Sequence, residues 1–104
     1  MSLPFIVREF EVDGNSFECR FFQPEKESVD YVCRYEIDWP SKLVVSKAYG
    51  IDQVQALFLA MQKAHVELLY ARNRQGMTVE WLGTENLGLP LSDSVKDWSP
   101  TNSF

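Results

Sequence analysis

The sequence predicts an α+β domain in which an antiparallel four- to five-stranded meander sheet packs on one long α-helix, and three observations carry that reading. Up to about residue 48, apolar and polar side chains alternate with a period of about two, broken by turn residues. Beyond Gly50 the period changes to about 3.6 and runs without a proline to Gln75. With 104 residues the chain has the size of one domain and is too short for two independent cores.

Residues 5–12 form the first expected strand, with Ile6, Phe10 and Val12 on one face and Arg8 interrupting it. Asp13-Gly14 follows, a dipeptide suited to the positive φ angles of a type I′ turn, so residues 17–21 return as the second strand. Gln23-Pro24 opens a polar break, and residues 31–37 resume the alternation as a third strand. A hairpin centred on Lys26 sets Cys19 opposite Cys33, Phe17 opposite Tyr35 and Phe21 opposite Tyr31 on one face. On the other face it pairs Glu18 with Arg34. Trp39-Pro40-Ser41 ends that strand, and residues 43–48 supply a fourth.

Val54, Leu57, Phe58, Met61, Ala64, His65, Leu68 and Leu69 fall on one stripe of a helix over residues 51–75. Asp52 suits the N-cap, Arg72 and Arg74 suit the negative end of the dipole, and Gly76 is the stop. Such a helix is on the order of 36 Å long, enough to cross the sheet. Residues 77–82 read as a fifth strand. Residues 84–104, punctuated by Gly88, Pro90 and Pro100, read as an irregular tail of a single domain spanning residues 1–104.

Fifteen acidic against ten basic side chains give a formal net charge of -5. Binding nucleic acid draws its free energy from Lys and Arg neutralising phosphates, so this balance disfavours nucleic acid and anionic membranes. A basic protein partner remains electrostatically suited. The start, Met1-Ser2-Leu3-Pro4-Phe5, has neither a basic region nor an apolar run of signal-peptide length, so a cytoplasmic location is expected. Met1-Ser2-Leu3 also has the character of a vector-derived leader. Two cysteines, Cys19 and Cys33, are too few for a disulfide scaffold or a four-thiolate zinc site, and are expected as buried free thiols.

The run Gly50-Ile51-Asp52-Gln53-Val54-Gln55-Ala56-Leu57, followed by Trp81-Leu82-Gly83 and Leu87-Gly88-Leu89-Pro90, resembles a family of small bacterial domains of unknown function. The resemblance covers about the second half of the chain. It implies a bacterial origin and a strands-then-helix architecture, and it transfers no activity.

Candidate chemistry is sparse. His65, the one histidine, lies mid-stripe and needs an orienting partner and a reactive group to act as a catalyst. Cys19, Cys33 and His65 share a core-facing side, but without paired ligand spacing the expectation is no metal, no cofactor and no catalytic residue. Glu9, Glu11, Glu18, Glu36, Asp38 and Glu80 are expected on solvated strand faces. A second apolar line on the helix, Leu59, Val66 and Tyr70, lies outside the main stripe and calls for cover by the tail, a second copy or another protein. With the aromatics Phe22, Trp39 and Trp98, and Phe104 beyond them, these residues mark the expected interaction surface.

The function expected is a non-enzymatic protein-interaction domain, immunity- or antitoxin-like in one concrete form, with a protein partner or self-association. The alternative is a small enzyme or small-molecule binder with a pocket between helix and sheet.

Overall fold

A computed structural model describes residues 4–98. Met1, Ser2, Leu3, Pro100 and Phe104 lie outside the described residues. The strands are β1 (Ile6–Val12), β2 (Asn15–Phe21), β3 (Glu25–Glu27), β4 (Asp30–Asp38), β5 (Leu43–Gly50) and β6 (Val79–Glu80). The helix α1 (Gln53–Arg74) runs between β5 and β6, and a 3₁₀ segment (Asp93–Trp98) follows. The fold is the expected α+β arrangement of an antiparallel sheet on one long helix.

The sheet follows the meander. Val12 faces Asn15 across a two-residue turn in which Asp13 (φ 50°) and Gly14 (φ 85°) take the positive angles that type I′ geometry demands. β2 pairs with β4, β4 with β5, and β6 closes the far edge against β1. The expected fifth strand over residues 77–82 shrinks to Val79–Glu80, because Trp81 and Thr84 close a tight turn on each other.

The second hairpin differs from the sequence expectation. The turn lies at Ser28-Val29, and Glu25–Glu27, expected in the polar break, pairs with the start of β4 as a short extra strand. This moves the β2–β4 register by four residues: Cys19 faces Ile37, Arg20 faces Glu36 and Phe21 faces Tyr35. An even shift leaves each side chain on its face, so the core assignment survives. The Cys19–Cys33 and Glu18–Arg34 pairings do not. Cys33 faces Ala48, and Arg34 reaches Glu25 and Glu27 instead.

One sheet face packs on α1. Phe10, Phe17, Phe21, Tyr35 and Ile37 meet Leu68 and Leu69, and the first half of α1 contributes Ala56, Ala60 and Ala64. These alanines recur every four residues on one side and let the helix approach closely. Gly50 has the same role, since a Cβ there would lie 2.4 Å from the Ala56 nitrogen. The expected stripe is therefore displaced in this half: Val54 and Phe58 are exposed, and Leu57 and Met61 are half-buried. Hydrophobicity ranks Ala low, whereas close packing selects it. Asp52 caps α1 by accepting from the Gln55 nitrogen at 2.8 Å, and Gln55 Oε1 accepts in turn from the Ile51 nitrogen at 2.8 Å.

The expected irregular tail is strapped to the body as far as residue 98. Arg8 donates to the Leu87 and Gly88 carbonyls at 3.1 and 2.7 Å and lies 3.9 Å above the Trp81 ring. Arg72 holds the Val79 and Glu85 carbonyls, and His65 Nδ1 the Pro90 carbonyl at 3.0 Å. Leu87, Leu89 and Val95 are buried against the core.

Candidate functional site

Strand alternation sends Glu9, Glu11, Glu18, Glu36 and Asp38 to the sheet face that the helix leaves open. The register sets them as neighbours. Glu9 faces Glu18 and Glu18 faces Asp38, so three carboxylates form a row across β1, β2 and β4. Glu11 faces Glu80 in the adjoining row. Like charges directly opposite one another weaken a sheet, and Arg20 offsets part of that cost. Its guanidinium reaches Glu18 and Glu36 at 3.0 Å and Asp38 at 3.1 Å. Burial alone would lower the Arg20 pKa, but the hydrogen bonds to Glu36, Glu18 and Asp38 overcome it and raise it above the ordinary value. Among the described residues no ion pair reaches Glu9, Glu11 or Glu80.

Apolar side chains share this face. Val7 faces Arg20 and Val45 faces Glu36, and both are exposed, as is Leu43 opposite Asp38. A groove of about 840 Å³ runs beside them, floored by Phe22, Pro24 and Val45 and edged by Arg20 and Arg34. A shallower depression of about 350 Å³ holds Glu9, Glu18 and Asp38 against Trp39 and Pro40. Phe22 is half-buried in the larger groove, on the open face as the alternation implied.

The other expected interaction residues lie elsewhere. Trp39 is not an exposed aromatic: it is 8% exposed and stacks on Phe17 with ring centroids 4.8 Å apart. The ring lies over Phe17, just before the bend at Pro40. Its edge also lines a groove of about 560 Å³ on the helix side, together with Val66 and Tyr70. Trp98 packs on Tyr70 with centroids 6.3 Å apart, and Asn73 and Gln62 bond the Trp98 and Leu91 carbonyls. The 91–98 segment thus covers part of the outer helix line. Val66 and Leu59 are half-buried, and Tyr70 remains 48% exposed. Phe104 lies outside the described residues.

The titratable core residues are closed off. His65 is 1% exposed, and burial lowers its pKa from the ordinary 6.5. Burial pushes the Cys19 thiol up to about 12 and Cys33 up to about 11. Both are free cysteines. Among the described residues, no group of three or more His, Cys, Asp or Glu side chains is placed to hold a metal ion. No helix among them is long and apolar enough to cross a membrane.

The family model for a domain of unknown function, DUF6968, matches residues 6–91. The chain belongs to this family. Comparison with curated proteins and with solved structures finds no match. The DUF6968 span runs from the first residue of β1 to the residue after Pro90, and so includes both arginine clamps on the chain that follows the helix. The three runs that carried the resemblance all lie within it, and their residues are architectural. Gly50 admits the helix backbone, Asp52 and Gln55 cap it, and Ala56 packs at 0% exposure. Trp81 takes the Arg8 guanidinium, Leu87 and Leu89 are buried, and the Pro90 carbonyl receives His65. Sequence reasoning missed Glu67, a half-buried carboxylate in the helix-side groove that accepts from the Tyr35 hydroxyl. No spacing signal marks it, since the two residues lie 32 positions apart.

Proposed function

We propose that this DUF6968 member is a non-enzymatic, cytoplasmic protein-interaction domain of bacterial origin whose open sheet face receives a basic protein. The observation that carries the reading is the in-register row Glu9–Glu18–Asp38 beside exposed Val7, Leu43 and Val45. Carboxylates that burden the isolated sheet are offset when a cationic surface covers them, and the apolar neighbours supply area whose burial stabilises the contact. An immunity- or antitoxin-like role against a basic toxin is one concrete form. The inaccessible His65 and the thiols held protonated by burial favour binding over nucleophilic or acid–base catalysis.

The test is affinity capture from a bacterial lysate on the immobilised chain and on Glu9→Lys/Glu18→Lys, followed by identification of retained proteins. A basic protein held by the parent and lost from the variant is expected. Retention of the same proteins by both would remove the open face from the account.

A further inference from the structure

Strand β5 pairs with β4 and with no other strand among the described residues, so its outer side is a free edge of the sheet. Two bonds fix which of its backbone groups face outward. Arg34 turns its carbonyl to the β2 side of β4, where it accepts from the Phe22 nitrogen at 3.0 Å. Lys47, opposite Arg34, therefore exchanges no backbone bond with it and points its own N–H and C=O away from the sheet. Lys63 bears this out, since its ammonium donates to the Lys47 carbonyl at 3.0 Å from the helix layer. Every second residue shares that orientation, so Leu43, Val45, Lys47 and Tyr49 all present backbone donors and acceptors along the edge, and their side chains are exposed. Apolar helix residues border the same edge. Leu59, Lys63, Val66 and Tyr70 recur at helical spacing on one line of α1, and Val66 and Tyr70 share a groove with Lys42 and Val44 at the start of β5.

We infer that β5 is an interface with a second copy of this chain, the two strands pairing antiparallel about a two-fold axis at Ser46. This is the one symmetric register that joins all four outward residues. Leu43 faces the partner's Tyr49 and Val45 faces the partner's Lys47, with the same pairs repeated across the axis and two backbone bonds exchanged in each. An axis at Lys47 would set two ammonium groups directly opposite, which destabilises a strand pair. An axis at Val45 would set Tyr49 against Ser41, before β5 begins. Lysines on edge strands commonly block pairing; Lys47 blocks the register centred on itself and admits the one about Ser46. The incoming Val45 N–H replaces Lys63 on the Lys47 carbonyl, where the existing bond is exposed. The two sheets then run on as one, with the Leu59 and Val66 lines of both helices on the same face beside the axis. The pairing uses the strand edge and leaves Glu9 and Glu18 on β1 and β2 free, so its failure leaves the basic-partner proposal standing.

The test is light scattering after size-exclusion chromatography on the full chain, joined to crosslinking of two cysteine variants. The parent should be a dimer at high micromolar concentration. Val45→Pro removes an outward N–H and no bond to β4, so it should keep the parent's circular dichroism and raise the dimer dissociation constant about tenfold or more, the worth of the two bonds lost across the axis. Ser46→Cys sets one thiol on each side of the axis in a pair that exchanges no backbone bonds, with a Cα separation of about 4.5 Å, within disulfide reach. Mild oxidation should join two chains through it, since the native Cys19 and Cys33 are buried. Val44→Cys stands four residues from its equivalent across the axis, about 13 Å at the strand rise, and should stay reduced. A monomeric parent, a dimer unmoved by a folded Val45→Pro, or a Ser46→Cys chain that crosslinks no better than Val44→Cys would each overturn the inference. If Val45→Pro does not fold, the parent's mass and the two cysteine variants decide it.

Discussion

Replacing Gly88 by Ala tests the architectural account of the strap most sharply. Gly88 has φ +69°, and a Cβ there would lie 2.5 Å from Trp81 Cζ3 and 2.7 Å from Arg8 Nη1. Two costs follow. A left-handed backbone with a side chain costs about 1–2 kcal/mol, and forcing atoms into a filled space typically adds about 1–3 kcal/mol. The Arg8 guanidinium must also move away from the Gly88 carbonyl that it holds at 2.7 Å. The sum is about 2–5 kcal/mol, a large share of the ~5–15 kcal/mol that holds a typical domain together. Gly14→Ala supplies the control, because Gly14 has φ +85° with nothing within 4 Å of a Cβ. It should lose only the conformational part. Urea denaturation of both variants reads the difference, with each kcal/mol also moving Tm by about 4–8 °C. In Gly88→Ala/Trp81→Ala the two losses should be less than additive, since the clashing ring is gone. If Gly88→Ala is no less stable than Gly14→Ala, the Arg8–Trp81–Gly88 contact does not hold the strap.

Three further outcomes follow from the core. His65 is buried with its pKa below 6.5, so the unfolded chain binds the extra proton first as pH falls. Stability should therefore drop below about pH 6.5, by at most ~1.4 kcal/mol per pH unit for one proton, and His65→Gln should flatten that part of the urea-midpoint profile. Leu68→Ala, at 0% exposure, should cost about 2–5 kcal/mol. Phe58→Ala, at 42% exposure on the expected stripe, should cost clearly less in the same denaturation assay. The Cys19 and Cys33 thiols, pushed to about 12 and about 11, should react slowly with a thiol reagent at pH 8 and fully on unfolding. Rapid labelling of the native chain, or a disulfide in it, would contradict the burial.

The strands, the helix and their order were legible because each depends on local periodicity and on turn residues a few positions apart. The Asp13-Gly14 hairpin and the Asp52 cap are cases where two neighbouring residues decide the geometry. What was not legible depends on distance. The β2–β4 register turned on three charged residues after Gln23-Pro24 that add a strand, a choice decided by pairing to β4 and not by their own hydrophobicity. Ala56 and Ala60 were passed over for bulkier neighbours because nothing local reveals how near the helix comes to the sheet. Arg8 was seen as an interruption, but its partners lie about 80 residues away. The acidic residues of the open face were individually visible, and only the observed register shows Glu9, Glu18 and Asp38 to be adjacent.

The most direct measurement of the central claim is the affinity of the captured partner, once purified, for the parent chain and for Glu9→Lys at low and physiological salt. Glu9 is exposed and free of ion pairs to the described residues, so the substitution spares the fold. Binding should weaken with salt and with the reversed charge, chiefly through a slower association rate. An affinity indifferent to both would contradict that claim.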